Sequence, residues 1–218
     1  MPKLRFAITV SLDGYVAGPN QSLENPLGEG GHSLHEWLFA TKSFRETHGL
    51  GDEEGETGLD DDHVAGWTQN IGATIMGRNM FGPIRGPWVG SEWSGWWGDD
   101  PPFHTAVFVL THHAREPLPM SGGTRFEFVT DGIEAALERA FAAAGGLDVA
   151  IGGGAQTVQQ YLRAGLVDEF EIHVVPLLLG AGSRLFEQLD DRTAGYECVG
   201  LASSLAVAHY TFVRAGSS

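Results

Sequence analysis

The stretch VAIGGGAQTVQQYLRAGLVDEFEIH, Val149 to His173, sets an apolar strand, three consecutive glycines, an amphipathic helix and a second alternating strand in direct succession. Three glycines weaken either element they join, because glycine loses the most backbone freedom on ordering. Their position therefore asks for a reason: a very tight turn, or something that must come close to the backbone. A strand, a glycine turn and a helix start together aim several backbone N–H groups at one spot, with the positive end of the helix dipole behind them. Such a spot suits a phosphate or diphosphate. The common phosphate fingerprints do not fit. A P-loop needs Gly-Lys-Ser/Thr where this chain has Ala155, Gln156 and Thr157, and G-x-G-x-x-G needs a glycine where Thr157 stands. At this point a ligand-free turn and a phosphate cradle both remain open.

Outward from this stretch, the pattern alternates. LRFAITVSLDGYVAG reads as a buried strand over Leu4–Val10 turning at Asp13-Gly14, and HSLHEWLFATKSFRE as a helix with Ser33 as its cap. DDDHVAGWTQNIG predicts a short helix with acids in its first turn, where they suit the dipole. ATIMG, TAVFVLTH and TRFEFVT are strands, and DGIEAALERAFAAAGG is a helix ended by Gly145-Gly146. DEFEIHVVPLLLG is a strand, and YECVGLASSLAVAHYTFVRA a closing hairpin. Alternation of strands and helices predicts an α/β sheet with helices on its faces. The last pair of strands, with no helix between, predicts an antiparallel C-terminal edge on a mostly parallel sheet. With no internal repeat or linker, residues 1–218 read as one domain.

Two more segments carry polar groups at strand ends. In IMGRNMFG, Ile75–Gly82, an arginine follows a strand and a glycine, and its fork can grip phosphate oxygens or form a surface ion pair. In VLTHHAREP, Thr111, His112, His113 and Arg115 follow a strand at its carboxyl end, where open α/β sheets gather ligands. Adjacent histidines on an extended chain point oppositely, so no metal site is expected there.

Composition narrows the function further. The formal charge of −15 opposes non-specific nucleic-acid binding, which needs clustered Lys and Arg. No apolar run approaches a membrane span, the N-terminus starts at once with a strand and shows no cleavable signal, and a lone Cys198 suits a reducing, cytoplasmic setting. GDEEGETGLDDDH, Gly51–His63, reads as a solvated acidic loop.

Taken in order, SLDGYVAG, IMGRNMF, VFVLTH and IGGGAQTVQQYLRAGLVDEFEIHVVPLLLGAGSRLF resemble the dihydrofolate reductase-like superfamily. The similarity is greatest to the reductase-type domain at the C-terminus of the bifunctional riboflavin-synthesis deaminase-reductase, and it covers nearly the whole chain. It implies a three-layer α/β fold and NADPH as cofactor. Gly152, Gly153, Gly154, Ala155 and Gln156 would hold the diphosphate, with Gly77, Arg78 and Asn79 flanking it. Thr111, His112 and Arg115 would meet the 2′-phosphate end, and Ala7, Ile8 and the Asp13-Gly14 turn the nicotinamide. For a catalytic carboxylate it offers Asp13, the acid near the nicotinamide, and Asp61, within the helix before the IMGR strand. It also implies a homodimer, for which the FEIHVVPLLLG strand and terminal hairpin are suited surfaces.

Two segments depart from the family pattern. Asn25–Gly58 is long and carries its own helical piece, fitting a lid or an oligomer contact beside the substrate cleft. The loop around 85–103 holds Trp88, Trp93, Trp96 and Trp97, which either stack on a substrate or partner or clamp the loop onto its own domain. The deaminase signature H-x-E…P-C-x-x-C is absent from the sequence. The expectation is an NADPH-dependent reductase of a small heterocyclic or carbonyl-bearing molecule. The alternative is an NADPH-binding regulatory domain without turnover.

Overall fold

A computed structural model describes residues 1–51, 55–82, 85–88, 92–187, 189 and 195–216. Nine strands form one sheet, in the spatial order β10 (Tyr196–Ser203), β11 (Ala208–Arg214), β8 (Glu169–Val175), β1 (Leu4–Ser11), β7 (Asp148–Gly153), β3 (Ile71–Gly77), β4 (Ala106–Leu110), β6 (Arg125–Val129) and β5 (Leu118–Pro119). From β8 through β6 every pair is parallel. The C-terminal hairpin adds antiparallel strands at one edge, and the two-residue β5 adds another at the opposite edge. A second, small sheet pairs β2 (Tyr15–Ala17) with β9 (Ser183–Arg184).

One face of the sheet is closed by α5 (Ile133–Ala143) and α6 (Ala155–Arg163), whose apolar stripes meet Leu4, Phe6, Ile75, Phe108, Val149 and Ile151 in the main core. Tyr161 is fully buried there, and its hydroxyl donates to the Ile133 carbonyl at 2.8 Å. Among the described residues, the other face is covered only at its flanks. Over β8 and β11 lie α1 (Glu36–Ala40), α2 (Lys42–Thr47) and α3 (Leu59–Trp67), packed through Trp37, Leu38 and Val64 against Val175 and Val207. Over β3, β4 and β6 lie α4 (Arg78–Phe81) and the tryptophan loop, packed through Phe81 onto Met76, Val107, Val109 and Phe126. Between the two coverings, β1 and β7 present Ala7, Ala150 and Gly152, too small to fill the gap.

Three local readings need correction. The helix expected from Ser33 is broken at Thr41, which turns extended and bridges to Glu56. Ser33 lies in a 3-10 turn and caps nothing. Thr41 is the cap, its hydroxyl accepting from the Phe44 amide. The strand through DEFEIHVVPLLLG stops at Val175, before Pro176, which has no N–H to give to a ladder. The acidic segment is only partly a solvated loop: Asp52–Glu54 lie outside the described residues, while Leu59–His63 open α3, where Asp60 and Asp61 both accept hydrogen bonds. Among the described residues no helix is long and apolar enough to cross a membrane.

Candidate active site

The gap over β1 and β7 is a cavity of about 640 Å³, within the range of small-molecule sites (roughly 300–1,000 Å³). Its floor is Ala7, Ala150 and Gly152. Phe44, His48 and Trp67 form one wall, and Met80, Trp97 and Phe103 the other. Aromatic side chains on both sides of a floor of small residues make a slot suited to a flat ring. The atypical insertion thus supplies one wall through α2, and Trp97 belongs to the opposite one. The other loop tryptophans mainly anchor the loop: Trp93 donates to the Phe81 carbonyl at 2.9 Å and meets Trp96 edge-on, and Trp88 donates to the His113 carbonyl at 2.8 Å.

At the carboxyl end of this floor, Gly152 and Gly153 finish β7 and Gly154 is the N-cap residue of α6. Gly153 sits at φ +126°, a conformation that side-chain-bearing residues rarely adopt, and the Gly153–Gly154 peptide is cis. Gly154 has ordinary extended backbone, and a Cβ there would enter open space. Ala155 and Gln156 begin α6, so their amides have no intrahelical partner. Gly77, at the end of the neighbouring β3, has no room for a side chain: a Cβ would lie 2.4 Å from Thr157 Oγ1. That close fit sets Arg78 and Asn79 beside the glycine turn. Asn79 donates to Gln21 Oε1 at 3.2 Å.

Arg78 lies 3.5 Å over the Trp88 ring, and Arg115 is 4.9 Å from the same ring centre. Arg78 donates to Thr111 Oγ1 at 3.3 Å. Its Nε and Nη2, and Arg115 Nη1, are buried without a hydrogen-bond partner, and among the described residues no carboxylate pairs with either guanidinium. Burial, then the nearby Arg85 and Arg115, push the Arg78 pKa down, and burial does the same to Arg115. Even a partly buried guanidinium without a counter-charge carries a desolvation cost that nothing offsets. Three guanidinium nitrogens of this cluster thus have no acceptor.

Other expected residues lie elsewhere. Ile8 turns its side chain to the opposite face of the sheet, into the main core, so only Ala7 of that pair lines the cavity. His112 is exposed and makes no hydrogen bond or ion pair among the described residues. Asp13 and Asp61 do not line the cavity. Asp13 accepts from Ser11 Oγ at 2.6 Å and from the Leu179 and Gly180 amides, which fixes that loop beside the Gly14 turn. These bonds, led by Ser11, hold its carboxyl down at about 2, so it stays ionised and has no proton to give near neutrality. Asp61 accepts from the Ser43 amide at 2.6 Å and ties α3 to α2.

A cluster that the sequence did not reveal lies beneath α3. His173 on β8 and His209 on β11 are fully buried, with their Nδ1 atoms 2.7 Å apart. His209 Nε2 is 2.9 Å from Asp60 Oδ1, and His63 Nδ1 is 3.0 Å from Glu171 Oε2. Trp37 and Trp67 cover His173, each with its ring 5.2 Å from the imidazole. The signal was present as Glu169-x-Glu171-x-His173, three polar residues on one face of an otherwise apolar strand.

Burial, helped by His209 and His63, holds the His173 pKa down to about 2, and burial also lowers that of His209 against the pull of Asp60. The unfolded chain therefore binds more protons than the native one below about pH 6.5, and stability falls as the pH drops through that value. Between about pH 6.5 and 5.5 the loss should approach 1 kcal/mol, since each proton of difference contributes about 1.4 kcal/mol per pH unit. Urea midpoints at the two pH values would show it, and His173→Gln should flatten the slope.

The sequence matches the RibD C-terminal domain family over residues 2–209, and the chain belongs to that family. The Bacillus subtilis (strain 168) protein YwjB is 40% identical over 48 residues, a stretch that spans 22% of this chain and 28% of that protein. Among solved structures, a putative riboflavin biosynthesis protein from Shewanella sp. PV-4 superposes with a TM-score of 0.62 at 21% identity, covering 97% of this chain and 98% of that one. Dihydrofolate reductase from Enterococcus faecalis, complexed with NADP(H) and RAB-propyl, gives 0.53 at 14% identity, with 98% and 96% covered. The Thermotoga maritima diaminohydroxyphosphoribosylaminopyrimidine deaminase/5-amino-6-(5-phosphoribosylamino)uracil reductase gives 0.55 at 12% identity, and the match covers 98% of this chain and 56% of that protein. The fold is dihydrofolate reductase-like.

Proposed function

We propose that the protein is an NADPH-dependent reductase of a small, flat, heterocyclic or carbonyl-bearing molecule. The observation that carries this reading is a set of guanidinium nitrogens on Arg78 and Arg115 without a hydrogen-bond partner, beside a glycine turn with open space at Gly154. The residues fit a dinucleotide phosphate. The amides of Ala155 and Gln156 and the bare backbone of Gly152–Gly154 take the diphosphate, and Arg78, Thr111 and Arg115 take the 2′-phosphate, with Gly77 and Asn79 between. The family membership and the likeness to a reductase solved with NADP(H) support the same cofactor.

When bound, that cofactor supplies a hydride. The chain's own part is to hold the acceptor ring against Ala7 between Trp67 and Trp97 and to keep water from it. The experiment is a titration with NADPH followed by a screen of pterins, pyrimidinones and quinones for its oxidation. Binding with turnover of at least one class is expected. Tight binding without turnover of any would make the protein a nucleotide sensor instead.

A further inference from the structure

Among the described residues, four titratable side chains line the cavity: Arg5, His48, Glu169 and Glu171. Glu169 is engaged by Lys3 at 2.5 Å and by Arg5 at 3.9 Å. Glu171 is different. It sits beside Ala7 in the β1–β8 register and beside Thr211 on β11, and imidazoles rather than cations of Lys or Arg stand behind it. His63 Nδ1 lies 3.0 Å from its Oε2 and His173 Nε2 3.6 Å from the same oxygen, while Oε1 makes no hydrogen bond among the described residues.

The hydrogen-bond chain assigns the protons. Asp60 accepts, so His209 carries its hydrogen on Nε2 and offers a lone pair at Nδ1. His173 must then donate from Nδ1, which leaves its buried Nε2 as a bare lone pair aimed at Glu171, and that nitrogen has no partner. A lone pair facing a carboxylate oxygen is unfavourable unless a proton resides nearby. The Glu171–His63 bond is where one can sit, on either atom. His63 also stacks on His209 at 4.0 Å, which disfavours charging both rings together.

We propose that Glu171 is the proton donor of the reduction, reloaded through His63, with His173, His209 and Asp60 as positioning residues. This rests on the reductase reading above. With a reduced nicotinamide as the source of the hydride and its electron pair, the Glu171 O–H bond breaks and its proton joins the substrate heteroatom left negative. Glu171 remains as a carboxylate and regains a proton from His63, which regains one from water. The charged and titratable groups around Glu171 are Arg5 on β1, Glu169 and His173 on β8, His209 on β11, Asp60 and His63 on α3, and His48 on α2.

The test is NMR of the full chain with isotope-labelled backbone amides and imidazoles, with and without NADPH. The proton shared between His63 Nδ1 and Glu171 Oε2 should give a far-downfield imidazole N–H signal, as a charge-assisted hydrogen bond does. That signal should be lost in His63→Gln and move upfield in Glu171→Gln, whose amide is a neutral acceptor. A His63 N–H at an ordinary position in the parent protein, or one unmoved by Glu171→Gln, overturns the proposal. Failure of the cofactor reading would look different: amide signals of Gly152–Gly154 unmoved by NADPH, with the His63–Glu171 signal intact.

Discussion

Gly154→Val should abolish high-affinity NADPH binding and leave the protein folded. Its backbone, at φ −83° and ψ −164°, is one that valine adopts readily, and no atom beyond its chain neighbours lies within 4 Å of where its Cβ would go. The branched side chain would occupy the space through which diphosphate oxygens must reach the Ala155 and Gln156 amides. Hydrogen bonds to charged groups contribute about 1.5–3 kcal/mol each, so losing even two should weaken binding on the order of a hundredfold or more. Valine is also a poorer N-cap than glycine, at a cost of about 1 kcal/mol. That corresponds to a drop of roughly 2–4 °C in thermal midpoint for a chain of this size. Gly153→Val would be less informative: at φ +126° any side chain strains the backbone, by about 1–3 kcal/mol, whether or not a ligand is present. Calorimetric titration of Gly154→Val beside a melting curve separates the two effects, and unchanged affinity would remove the glycine turn from the site.

Arg78→Ala should cost NADPH affinity selectively. The guanidinium stacks on Trp88, reaches Thr111, and keeps two nitrogens unpaired. Loss of such a contact to a dianionic phosphate is expected to cost about 1.5–3 kcal/mol, or roughly ten- to 150-fold in Kd. NADH, which lacks the 2′-phosphate, should bind the variant about as well as it binds the parent protein. Arg78→Lys should fall between, keeping the charge but losing the fork and the flat stack. Titrations with both nucleotides at two salt concentrations test this. Equal weakening of NADPH and NADH would move Arg78 to the diphosphate, and no weakening of either would leave it a packing residue for Trp88.

What was legible in the sequence was what neighbours in sequence decide. The strand, glycine turn and helix from Val149 to Arg163 are local, and so is the Gly77-Arg78 junction; the structure keeps both and joins them through Gly77 and Thr157. The alternating order of strands and helices likewise specified the sheet and its antiparallel C-terminal edge. Register and facing were not legible. Whether Ala7 or Ile8 meets the cavity depends on which face of β1 lies toward α3, and strand alternation allows only one of them. Asp13 and Asp61 drew notice as acids near expected landmarks, yet backbone amides hold both away from the cavity. Glu171, His63, His173 and His209 come from β8, α3 and β11, more than thirty positions apart for His173 and His209 and more than a hundred for His63 and Glu171. Only the folded sheet brings them together. The break at Thr41 was equally hidden, because it depends on a bridge to Glu56 across an acidic loop.

The most direct measurement of the central claim is a calorimetric titration of the intact, folded chain with NADPH and, separately, NADH near neutral pH. Saturable one-to-one binding of NADPH in the micromolar range or tighter is expected (about −8 kcal/mol or stronger), with NADH at least tenfold weaker. A flat trace with both nucleotides, from protein that still melts cooperatively, would contradict the assignment of Gly152–Gly154, Arg78 and Arg115 to a cofactor.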